Sequence, residues 1–196
     1  MNKIKLQDKA RHIRYFRKVH RISASLFFAF FFIIAISGTL LGWKKNSNGF
    51  LLPETQIGTT TDLKQWISLD SLQNIALGRY NEIYYEKGIM DRMEVRPDAG
   101  IIKFTFKNSY HEMQLDGATG LLLGHETRKS DLIENIHDGT IVDRIFGWSG
   151  GTFKVFYTTL MGVGLFIFTL TGYWLWSGPR RIKRNIKIKK EDVVEL

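Results

Sequence analysis

The sequence predicts a membrane protein of mixed α and β structure: two transmembrane helices flanking an extracytoplasmic domain of one helix packed on an antiparallel sheet. Three observations lead there. The stretches 22–43 and 155–179 contain no charged residue, and each is long enough for the ~30 Å hydrocarbon layer, which about 20 apolar residues cross. The basic excess sits in two short tails beside those stretches. Between them lie short alternating runs broken by Gly, Pro and Asp, the pattern of strands and turns.

Charge orients this plan. The 196 residues carry 28 Lys+Arg against 19 Asp+Glu, a net +9. Residues 1–21 hold eight basic residues and one acid, 44–152 hold 12 and 15, and 180–196 hold seven and three. On one soluble face +9 would suggest nucleic acid, but split between two tails it is an orientation signal, and nucleic acid is not an expected partner. The positive-inside rule puts both termini in the cytoplasm and the acidic centre in the periplasm of a two-pass inner-membrane protein. The first apolar run exceeds the ~7–15 residues of a secretory core and lacks a small-residue cleavage pattern, which predicts an uncleaved anchor. The absence of cysteine excludes disulfides, zinc–thiolate and iron–sulfur sites, and a Cys nucleophile.

The elements follow in order. Residues 1–21 form a basic cytoplasmic segment in which Ile13, Phe16 and Val19 have the spacing of an interfacial helix. The first span, 22–43, has small residues at Ser25 and Ala29 and closes on Gly38 and Gly42, a G-x-x-x-G spacing suited to close helix approach. Its Phe27, Phe28, Phe30, Phe31 and Phe32 are expected to meet lipid or a larger partner. Residues 44–61 read as a linker. The domain proper, 62–138, opens with a helix capped by Asp70 or Ser71 and ended by Gly78. Strands are expected at Met90–Arg96 and Ile101–Lys107, then from Tyr110 through Leu115, continuing at Leu121–Leu123 after a turn at Asp116–Gly120. Ser130 is expected to cap a helix over Asp131–His137. A re-entry segment, 139–154, leads to the second span, 155–178, thinned by Gly162, Gly164 and Gly172. Its closing Tyr173, Trp174 and Trp176 suit a headgroup interface. In the tail, 179–196, Arg180, Arg181, Lys183 and Arg184, with Lys187, Lys189 and Lys190 beyond, each contribute on the order of 1 kcal/mol toward anionic lipid. The glycine-rich faces suit packing of the two spans on each other, on another protein or in a homodimer, and these alternatives remain open.

Several motifs carry a family resemblance. Lys18-Val19-His20-Arg21 opens the first span and Ser37-Gly38-Thr39-Leu40-Leu41 closes it. Met113-Gln114-Leu115-Asp116-Gly117-Ala118-Thr119-Gly120-Leu121-Leu122-Leu123 forms a strand–turn–strand, followed by Ile136-His137-Asp138-Gly139. Thr171-Gly172-Tyr173-Trp174-Leu175-Trp176-Ser177-Gly178-Pro179 echoes the first span's ending. The chain resembles the PepSY-associated transmembrane family in its short, two-span form. The resemblance implies a PepSY-like domain outside an inner membrane. Longer members look like four-span reductases that hold haem between transmembrane histidines and serve iron–siderophore uptake, and His20 and His137 stand where two of those histidines fall.

Taken by themselves, the residues assemble no catalytic set: there is no H-E-x-x-H helix, Walker loop or G-x-S-x-G elbow, and no metal site is expected. His20 lies at the cytoplasmic end of a span and His137 on its far side, so one chain offers no pair of axial ligands. His12 lies eight residues from His20, about 12 Å along a helix and roughly 80° around it. No bound cofactor is expected of a single chain; haem requires a dimer that brings two copies of His20 together. His20 otherwise reads as a headgroup-level residue, His137 as a helix end, His111 as half-buried on a sheet face and His125 as a loop residue. Glu112 and Asp116 read as strand-end carboxylates with no evident partner. The leading expectation is a non-catalytic accessory or scaffold subunit whose outer domain binds a protein partner in a membrane complex. The alternatives are a shortened haem-binding reductase component acting as a dimer, and a regulator of a periplasmic peptidase.

Overall fold

The computed structural model describes residues 3–194, with side chains over 11–181 and at 183 and 184; Lys187, Lys189 and Lys190 of the tail lie outside the described side chains. Helix α1 (Lys3–Gly42) is followed by α2 (Leu69–Tyr84), four strands β1 (Met90–Arg96), β2 (Ile101–Phe106), β3 (His111–Asp116) and β4 (Leu122–Thr127), then α3 (Lys129–His137), α4 (Thr140–Phe146) and α5 (Thr152–Val194). The chain divides into two units: α1 up to Ala35 together with the chain from Ser149, and Ile36–Trp148.

In the helical unit, the stretches Arg11–Gly42 and Ser149–Arg181 are long and apolar enough to cross a membrane. Both extend beyond the uncharged runs, because a charged residue at a helix end keeps its backbone hydrogen bonds while its head stays in water. Phe28, Phe30 and Phe32 are exposed, as a lipid-facing surface requires, while Phe27 and Phe31 turn inward against α5. Ile13 and Phe16 also pack against α5. Ile13 lies against Gly178, and the Phe16 ring stacks on Trp174 at 5.6 Å.

In the other unit the strands form one antiparallel sheet in the order β1-β2-β3-β4. Ile102, Phe104, Phe106, Met113 and Leu115 share one face and bury Leu72, Ala76 and Tyr80 of α2. Those three helix residues recur every fourth position, one stripe of a helix. That stripe explains why α2 runs through Gly78: burial at Ala76 and Tyr80 outweighs the ~1 kcal/mol propensity cost of a glycine on the open side. Ser68, not Asp70 or Ser71, caps α2 by accepting from the Ser71 N–H at 3.1 Å. β4 is a separate strand across a hairpin from β3, and α3 begins at Lys129 without a side-chain cap from Ser130.

The opposite face is buried and polar. Across it run the rows Arg92–Thr105–Glu112, Glu94–Lys103–Gln114 and Arg96–Ile101–Asp116. The expected linker is a strap pinned to those side chains. The Gln114 amide donates to the Glu54 carbonyl at 2.8 Å and accepts from the Gln56 N–H at 2.9 Å. The Asp116 carboxylate accepts from the Thr59 N–H and hydroxyl at 2.6 and 2.5 Å, and from the amides of Ala118 and Thr119 at 2.8 and 3.0 Å. Gly100 (φ +73°) turns β1 into β2 beside the strap, where a Cβ would sit 2.7 Å from the Thr60 carbonyl. Glu112 binds Lys103 at 3.3 Å and pairs with Arg128, all three largely buried. The strand-end carboxylates are therefore the most heavily bonded groups of the domain, a correction that pairing register and strap together explain.

Burial acts to raise the Asp116 pKa, but the Thr59, Thr119 and Ala118 hydrogen bonds prevail and hold it below the ordinary carboxylate value. Its stabilisation is present above the unfolded-state pKa and is lost as pH falls through the lowered folded value. Asp116→Asn is expected to cost about 1.5–3 kcal/mol, the range for hydrogen bonds to a charged group. Thermal unfolding of the detergent-solubilised protein checks this: the variant melts lower at neutral pH and loses part of the wild-type decline toward acid.

Candidate functional site

Helices gain no hydrophobic drive toward each other in lipid, so their pairing rests on close fit and hydrogen bonds. The α1–α5 contacts run antiparallel at heptad-like intervals. Ile13 meets Gly178, Phe16 meets Trp174, His20 meets Thr171, Phe27 meets Gly164 and Phe30 meets Tyr157. Small residues let the large ones in: a Cβ on Gly164 would lie 2.9 Å from the Phe27 ring.

His20 is held within this seam. Its Nδ1 is 2.9 Å from Thr171 Oγ1, its ring stacks on Phe168 at 4.2 Å, and its Cε1 lies 3.4 Å from where a Gly172 Cβ would be. The Thr171 hydroxyl donates to the carbonyls of Ile167 and Phe168 at 2.8 and 3.0 Å. Its proton being so committed, it offers His20 a lone pair, which selects the Nδ1–H tautomer and leaves Nε2 the basic nitrogen. Among the described residues Nε2 has no hydrogen-bond partner.

The second histidine repeats the pattern in the other unit. His137 ends α3, its Nδ1 lies 2.8 Å from the Ser37 hydroxyl, and its Cε1 is 3.3 Å from the position of a Gly38 Cβ. A hydroxyl–glycine dipeptide thus clasps an imidazole twice, Thr171-Gly172 on His20 and Ser37-Gly38 on His137. The echo between the two dipeptides is visible in the sequence, but their partners, 151 and 100 residues away, are not. His20 and Ser37 are 17 residues apart on α1, about 25 Å of helix rise, so the two clasps do not converge on one atom.

The other predicted positions fall differently. Gly42 and Gly162 have open space where a Cβ would be, and Gly38 meets the His137 ring at the end of α3. Arg180 lies over the Trp176 ring at 4.3 Å, and Arg181, Lys183 and Arg184 are exposed. His111 stacks on Tyr84 at 3.9 Å, and burial lowers its pKa against the opposing pull of Glu86. His125 lies exposed on β4, not in a loop. No group of three or more His, Asp or Glu suited to a metal ion occurs among the described residues.

Two membrane-spanning helices joined through a domain of antiparallel sheet and helices define a class of small membrane proteins. The chain belongs to the family described as the PepSY-associated TM region, whose pattern matches residues 17–191. No curated protein matches it.

Gly164→Val is expected to loosen the helix pair by about 1–3 kcal/mol, the usual overpacking cost. The chain has no cysteine, so Ile13→Cys with Gly178→Cys reports pairing through a short bis-maleimide crosslink. The crosslink should fall in Gly164→Val and persist in Gly162→Val; equal yields would refute the seam.

Proposed function

We propose that this membrane protein is a haem-binding redox subunit that works as a homodimer. The observation that carries the reading is the repeated clasp, in which a hydroxyl meets Nδ1 and Nε2 has no hydrogen-bond partner among the described residues, at both His20 and His137. That is the second-sphere arrangement of a ligating histidine: the outer hydrogen bond fixes tautomer and ring orientation and raises the basicity of the other nitrogen. A single chain supplies one imidazole per clasp, and a second copy would supply the other histidine that holds the haem. Two chains of two spans also equal the four spans of the longer reductases that the sequence resembles. Bound there, haem supplies a one-electron redox centre whose potential answers to its axial ligands and surroundings. The protein's own contribution is to hold each imidazole oriented, with Phe168 and Phe31 excluding water beside His20. The basic tails, net +7 and +4, support an inner-membrane orientation with both termini cytoplasmic and the sheet domain periplasmic.

A second reading keeps the protein as an accessory subunit that docks on a periplasmic partner. It is favoured by the edge strand β1, where Met93 and Val95 are exposed beside Ile89. An edge with apolar side chains suits strand addition.

Absorption spectroscopy tests the redox reading. Protein purified in mild detergent, or reconstituted with haemin, is expected to show a Soret band that His20→Ala reduces while the circular dichroism stays unchanged. A colourless preparation after reconstitution overturns it, and stoichiometric co-purifying subunits would then favour the accessory role.

A further inference from the structure

The 44–152 segment is net acidic, with 12 basic residues and 15 acidic ones, yet its basic residues are not spread evenly. Eight of the 12 line two cavities of about 630 and 480 Å³ on the polar side of the sheet, against five of the 15 acids. Lys44 and Arg128 border both cavities; Arg92, Lys107 and Arg144 line the larger, and Lys45, Arg96 and Lys103 the smaller. A domain of net charge −3 thus carries a local excess of +3 around one pair of adjoining hollows.

Their electrostatics are not all consumed internally. Arg128 is bound by Asp131 at 2.8 Å and by Glu112, and Arg92 lies 4.0 Å from Asp131. Lys107 and Arg144 have no carboxylate partner within 4 Å among the described residues, and the Arg144 guanidinium is steadied over the Tyr110 ring at 4.4 Å. Two hydroxyls on the wall of the larger cavity, Thr105 Oγ1 and Thr140 Oγ1, are buried without a hydrogen-bond partner. Thr105 is only 8% exposed, and a buried hydroxyl left unbonded is destabilising. A hydroxyl left so, beside two unpaired cations in a hollow of ligand size, is suited to a bound group.

We infer that the larger cavity is a binding site for an oxyanion, a phosphate or phosphate ester, seated on Arg144 and Lys107 and hydrogen-bonded by Thr105 and Thr140. The same chemistry is offered by a soluble phosphate and by an anionic lipid headgroup; Lys44 follows the end of α1 by two residues, so either source has access. This inference is independent of haem.

The test uses the full-length protein in two settings: detergent with inorganic phosphate or chloride at matched ionic strength, and phosphatidylcholine nanodiscs with or without phosphatidylglycerol. A saturable rise in melting temperature is expected in at least one. Phosphate alone raising it identifies a soluble ligand, and phosphatidylglycerol alone a headgroup. Lys107→Gln with Arg144→Gln should weaken the response about tenfold or more, as loss of charged hydrogen bonds implies, whereas Lys64→Gln with Arg79→Gln, equal in charge but outside both cavities, should not. Thr105→Val guards against misfolding: it should keep or raise the ligand-free melting temperature while reducing the response. No response in either setting, or equal responses in the two double variants, overturns the site.

Discussion

An imidazole packed into the seam between two helices must have its N–H bonded, because a seam filled by side chains offers no replacement for water. That requirement joins His20 to Thr171 and sets the register of the helix pair, since one hydrogen bond fixes which turn of α5 lies beside which turn of α1. Once that pair is aligned, the large-on-small contacts follow at heptad-like intervals on either side: Phe27 on Gly164 and Ile13 on Gly178. At His137, Ser37 provides the hydrogen-bond partner and Gly38 the room. The glycines next to the hydroxyls are needed for a steric reason, as a ring in van der Waals contact leaves no volume for a Cβ.

The sheet domain solves a related problem with different material. Its sheet has an apolar face and a polar one, and only the first is covered by a helix stripe. The polar face is covered by residues 51–60, whose backbone amides and carbonyls need partners that no neighbouring strand supplies. Gln114 and Asp116 supply them from side chains, and the Glu112 cluster neutralises Lys103 and Arg128. Burial weakens the charged form of Arg128, yet its bonds to Asp131 and Glu112 leave its pKa above the ordinary value. A buried cluster of this kind is held by completeness: each member is tolerable only because its partner is present.

Much of the plan was legible in residue order. Strand β1 has the ends that alternation and the Pro97–Gly100 turn predict, because both signals are local. The end of α2 was not legible: Gly78 is a local stop signal, and burial of Tyr80 against Phe106 at 3.9 Å overrides it from across the sheet. The G-x-x-x-G of the first span is the opposite case, a recognised spacing whose two glycines have different surroundings. The partners of His20 and Phe16 were not legible because α5, which covers them, lies far along the sequence.

The sequence alone determined what depends on composition within one segment: two spans, the basic tails that flank them, a sheet domain between, and the family. These follow from transfer free energies and turn chemistry, which act residue by residue. Only the tertiary structure decided which hydroxyl meets which histidine, that Glu112 and Asp116 are bonded, that the linker is a strap, and that eight basic residues gather on one side of the sheet. Those are pairings between distant positions, and their energies exist only once the chain has brought both members together.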